Sequence, residues 1–93
     1  MMLGSVSQQP GERLAYSISY RDTLPATDAL DNAIAFANKI ELTVEGTAID
    51  GPRVRFWVSG GLHRERYTVT VRTTTTEGRV FEDEIIFAIR EIS

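Results

Sequence analysis

Apolar residues recur at every second position through much of the chain, and each such run ends at a glycine, a proline or a polar turn. After Pro10-Gly11, the residues Leu14, Tyr16, Ile18 and Tyr20 share one face of an extended segment, with Ala15, Ser17 and Ser19 on the other. A period of two marks a half-buried β-strand. Arg21 to Thr27 carries Asp22 and Pro25, a composition that ends the strand. Ile40, Leu42 and Val44 alternate with Glu41, Thr43 and Glu45, which predicts a strand with an aliphatic inner face and an acidic outer one. Gly46 interrupts this run and predicts a bulge or bend, with Thr47-Ala48-Ile49 continuing beyond it. Asp50-Gly51-Pro52 turns the chain into a strand with Val54, Phe56 and Val58 inward and Arg53, Arg55 and Trp57 outward, ending at Ser59-Gly60-Gly61.

Two further strands follow. Tyr67, Val69, Val71 and Thr73 line one face of a segment rich in β-branched residues, and Ile85, Phe87 and Ile89 form the buried set of the last. Between them Gly78 supplies the positive φ that a short hairpin loop needs. Residues 28–39 fit two patterns. Thr27 or Asp28 could cap a helix carrying Leu30, Ile34 and Ala37, whereas Ile34 and Phe36 alternating with Ala33, Ala35 and Ala37 fit a short strand at about 32–37. The all-β surroundings favour the strand. About six or seven strands without a convincing long helix predict an all-β, antiparallel, two-layer sandwich.

Composition narrows the functional classes. The chain has 93 residues, 42% hydrophobic and 25% charged, which allows one globular domain with one core. The start of the chain lacks the basic and continuously apolar stretches of a secretory signal, and residues 1–11 read as a flexible lead-in, leaving residues 12–93 as the domain. A net charge of −3 argues against nucleic acid as a partner, since that footprint requires clustered Lys and Arg. No apolar run approaches the roughly 20 residues that span a bilayer, so no membrane partner is expected. With no cysteine, neither a disulfide framework nor a thiolate metal site is available.

Candidate chemistry is sparse. His63 is the sole histidine, too few for a metal site, and reads as a solvated loop residue. Glu82-Asp83-Glu84 alternate across a strand and read as a charged guard for the uncharged Ile85–Ile89 segment. Ser17, Ser19 and Ser59 have no base to activate them, and Gly60-Gly61 is not a phosphate loop. No catalytic residue, cofactor or metal is expected. Trp57 with Arg53 and Arg55 is the candidate interface, because aromatic and arginine side chains anchor protein contacts. Alternatively, arginine stems cover the indole within its own sheet.

Leu62, the Tyr67-x-Val69-x-Val71 run and the Gly78 turn resemble the F strand of immunoglobulin-like and fibronectin type III domains. That resemblance makes Tyr67 a tyrosine-corner residue, with its ring in the core and its hydroxyl bonded to upstream backbone. The cysteine pair and strand-C tryptophan of antibody domains are absent.

Leu14 to Tyr20, Phe56-Trp57-Val58-Ser59-Gly60-Gly61, Tyr67 to Thr70 and Arg72 to Arg79 resemble small tailed-phage and prophage structural proteins of the fibre-tail adaptor type, over roughly residues 12 to 91. Residues 28–50, alanine-rich and acidic, depart from that pattern. The resemblance implies a non-enzymatic tail-region adaptor that joins tail or portal to fibre or a neighbouring ring. It implies tail, portal or fibre proteins as partners, a multimeric arrangement in the particle, and passage from host cytoplasm during assembly to the virion tail. Two attachment modes fit: strand addition at the edge of the first or last strand, and ordering of residues 1–11 on binding. A surface- or carbohydrate-binding decoration module is the alternative, with Trp57 as its one candidate platform.

Overall fold

The computed structural model describes residues 1–91, so the last two residues of the expected domain lie outside it. Seven strands follow in order: β1 (Met2–Gln8), β2 (Arg13–Ser19), β3 (Leu30–Ala37), β4 (Leu42–Asp50), β5 (Arg53–Gly60), β6 (Arg66–Thr75) and β7 (Val80–Ile89). No helix occurs among the described residues. One sheet has the order β1-β7-β6-β3 and the other β2-β5-β4. All pairings are antiparallel except β1 with β7, which is parallel.

The core forms where the inward faces of β5, β6 and β7 meet. Val54, Phe56, Val58, Val69, Val71, Phe87 and Ile89 are fully buried, and Tyr67 nearly so. Burying each such side chain contributes roughly 1.5–3 kcal/mol. Tyr16 of β2 reaches across the layers to meet Phe87 edge-on at 5.0 Å between ring centres. The expected bulge in β4 is present: its register with β5 shifts between Glu45 and Ala48, and Gly46 has φ of 64°.

Two expectations fail, at the lead-in and at Ile40, and the favoured strand within residues 28–39 is present. The flexible lead-in is instead largely strand: β1 pairs with β7 from Glu84 to Ile89, and Gln8 is buried. Gly4, Ser5 and Ser7 have low strand propensity, so backbone pairing with the apolar β7 orders them rather than their own preference. Because β1 lies in the opposite sheet from β2, no hairpin fixes its direction, and it runs parallel to β7.

Residues 28–39 contain β3 and not a helical turn. Its register with β6 sets Ala33, Ala35 and Ala37 opposite the buried Thr73, Val71 and Val69, which turns the alanines toward the core. Ile34 and Phe36 consequently face outward, 45% and 43% exposed. Ile40, expected to face inward, lies in the β3–β4 connection and is 94% exposed.

Candidate functional site

Trp57 sits on the outer face of the three-stranded sheet, opposite Ala15 on one side and Glu45 on the other. Arg13 of β2 stacks over its ring, with the guanidinium carbon 4.3 Å from the ring centre, and the same guanidinium pairs with Glu45 at 3.2 Å. An Arg13–Glu45 bridge therefore crosses the indole. Beneath it the bulge brings the chain so close that a Cβ on Gly46 would lie 2.9 Å from Trp57 Cδ1. The covering cation comes from β2, whereas proximity in sequence points to Arg53 and Arg55. Arg55 pairs with Asp50 at 3.2 Å, and Arg53 is exposed. Trp57 is half-buried, and the three residues share one sheet face without converging on a pocket.

Tyr67 opens β6 with its ring in the core. Its hydroxyl oxygen accepts the Leu62 N–H at 2.9 Å and donates a long bond to Glu41 Oε1 at 3.4 Å. Gly61 meets the same corner: its N–H donates to Glu41 O at 2.9 Å, and its φ is 91°. A Cβ there would come within 2.7 Å of Ile89 Cγ1, and one on Gly60 within 3.0 Å of the Glu41 carbonyl oxygen.

The threonine-rich β6–β7 turn is organised around Asp28, which alternation read only as a candidate cap. Asp28 Oδ1 accepts from Ala29 N–H, Thr76 Oγ1 and Glu77 N–H at 2.8, 2.9 and 3.1 Å, and Oδ2 pairs with Arg79 at 2.8 Å. The carboxylate has no exposed surface, yet it lies under a thin layer of donors rather than deep in the core. Burial is the largest single influence on its titration and acts upward. Thr75, Thr76, the Ala29 N–H and Arg79 together outweigh burial and hold the carboxyl well below the usual carboxylate range. Gly78, with φ of 93°, closes the turn.

Two buried polar ties join the layers, and the sequence reading identified neither. Gln8 Nε2 donates to Val58 O at 3.0 Å and Glu12 O at 3.1 Å, and Gln8 Oε1 accepts from the Tyr16 hydroxyl at 2.6 Å. Asp83, expected to be a solvated guard, is buried and accepts the Tyr20 hydroxyl. Its position on the inner face of β7 follows from alternation with the exposed Glu82. Burial and the Asp83 partner push the Tyr20 hydroxyl far up its titration range; the neighbouring Thr73 hydroxyl acts the other way without reaching hydrogen-bond geometry.

His63 lies in the β5–β6 loop, where its Nδ1 accepts the Glu91 N–H at 2.9 Å. It borders a surface cavity of about 400 Å³ that runs between residues 63–66 and 88–91. Among the described residues no three His, Asp or Glu side chains are placed to hold a metal ion.

Curated proteins give no match to this chain. A family model described as podophage GP4 fiber-tail adaptor protein gp77 matches residues 8–88, which includes all of β2 to β6 and most of β7. The chain belongs to this family of phage fibre-tail adaptor proteins.

Proposed function

We propose that this phage tail structural protein acts without catalysis, as an immunoglobulin-like module that joins the tail or portal to a fibre or neighbouring ring. The family match over residues 8–88 carries the reading. The strand order supports the immunoglobulin-like part: β2-β5-β4 faces β7-β6-β3, as strands B-E-D face G-F-C in that fold. Tyr67, bonded to the backbone five residues upstream at the start of the sixth strand, stands where a tyrosine corner stands.

An adaptor needs contact surface rather than reactive groups, and two surfaces are offered. One is the outer face with Trp57, Arg53 and Arg55. The other is the outer side of β3, where Ile34 and Phe36 form an exposed apolar pair that the alternation left undirected. The decoration alternative has less support, because Arg13 occupies the Trp57 ring face on which a sugar would stack.

Infection of a host with phage lacking this gene tests the reading. Particles should form with filled heads and lose their fibres, and the chain supplied in trans should restore them. Full fibre content in its absence would sink the proposal.

A further inference from the structure

We propose that the free edge of β2 receives an extended, uncharged segment of a neighbouring tail protein as an added strand. This deepens the adaptor reading and rests on it, naming the edge and the chemistry of one contact. Of the two edges expected to take a strand, that of β7 is already filled by β1 on one side and β6 on the other. β2 borders its sheet, and no described strand pairs with its outer side.

The ladder shows which groups that edge presents. Tyr20 N–H donates to Pro52 O at 2.8 Å, in line with the β2–β5 register. Bonded and non-bonded pairs alternate along an antiparallel ladder, so Leu14, Tyr16 and Ile18 turn their backbone groups to β5. Arg13, Ala15, Ser17 and Ser19 turn theirs outward, as a template for another strand.

Edge strands are ordinarily blunted by charge, proline or a bulge. β4, at the other border of this sheet, has Glu45, Asp50 and the Gly46 bulge. From Leu14 to Ser19, β2 has none of these, and its register with β5 is unbroken. β3 and β4 lie against each other at one side of the sandwich, while β1 and β2 stand apart at the other.

The gap between β1 and β2 is a cleft of about 420 Å³ lined by apolar Leu3, Val6, Tyr16, Ile18 and Ile85, with glycine and serines completing it. Gln8 pins the seam at one end through Tyr16 and Val58, and it opens toward Leu3 and Ser19. An added strand would direct alternate side chains into this cleft. No charged residue lines it, so a charge carried in would be desolvated without a partner. That selects a neutral segment with apolar residues at alternate positions. Leu14, 41% exposed at the same edge, would be covered.

Hydrogen exchange over residues 13–19 tests this, measured in the purified chain and in the chain incorporated into tails. Exchange should slow at least tenfold on incorporation. Ser17→Pro removes one outward N–H and should lower incorporation at least tenfold, while Ser17→Thr, which keeps it, should incorporate normally. Incorporated chain with unchanged exchange over 13–19 would overturn the edge proposal and leave the adaptor reading standing. Failure of the unaltered chain to enter tails would overturn both. Protection that appears when the purified chain self-associates would make the occupant a second copy, contrary to the proposal. Where melting shows Ser17→Pro to be misfolded, exchange in the unaltered chain decides alone.

Discussion

Tyr67→Phe removes one hydroxyl at the corner where β5 leads into β6, and with it the bond from Leu62 N–H and the longer one to Glu41. The ring stays in the core, so the transfer of apolar surface is nearly unchanged, and the Leu62 N–H loses its acceptor at 2.9 Å. A made hydrogen bond contributes about 0.5–1.5 kcal/mol net, whereas a donor left buried and unpaired costs about 1–3 kcal/mol. Leu62 is 54% exposed, which lets water reach its amide and places the loss near 1 kcal/mol rather than at the upper end. For a domain of this size that is a fall of about 4–8 °C in melting midpoint. Urea melts at equal slope should show the same loss. Tyr67→Ala, which also empties the ring's space, should cost about 3–5 kcal/mol. Glu41→Gln probes the long second bond at 3.4 Å on an exposed side chain and should stay within about 0.5 kcal/mol. A Tyr67→Phe midpoint within about 1 °C of the parent would refute the claim that this hydroxyl stabilises the corner.

Asp28 predicts an acid-sensitive turn. Its folded-state pKa is depressed below 3.8, so its contribution is fully present above that value and is lost as pH falls through the folded one. Asp28→Asn should lower the melting midpoint at neutral pH and reduce its dependence on pH below about 4; an unaltered acid profile would count against the clasp. Gly61→Ala should destabilise by about 1–3 kcal/mol in chemical melts, because the new Cβ meets Ile89 at 2.7 Å at a φ unfavourable to alanine. Gly78→Ala, where nothing lies within 4 Å, should cost less, and equal losses would show that crowding is not the cause. Trp57→Ala should leave the fold melting cooperatively and weaken incorporation into tails if that face is a contact; normal incorporation would remove it from the interface.

What the sequence made legible is what alternation encodes. β5, β6 and β7 have one strongly apolar face each, so Val54, Phe56, Val58, Val69, Val71, Phe87 and Ile89 could be placed inward before any pairing was known. β3 is apolar on both faces, and only its register with β6 decides that alanines enter and Ile34 and Phe36 leave. β1 has no alternation at all, and its order is borrowed from β7 through backbone bonds that side-chain pattern does not report. Trp57 was visible as an outward aromatic, but its cover comes from Arg13, forty-four positions away and a neighbour only through the β2–β5 register. Asp28 was harder still: its partners Thr76, Glu77 and Arg79 sit in a turn that spacing alone assigns to a hairpin.

The placement of β1 links the fold to its free surface. Among the described strands β1 pairs with β7 and not with β2. Gln8 ties β1 to the opposite layer. Its buried side chain donates to Val58 O of β5 and accepts the Tyr16 hydroxyl of β2, and losing these bonds would cost about 0.5–1.5 kcal/mol each. The backbone of β1 pairs with β7 while Gln8 reaches the other layer, and no described strand lies along the outer side of β2. Committing β1 to one layer leaves β2 as an edge of the other, and that is the edge a partner strand would extend.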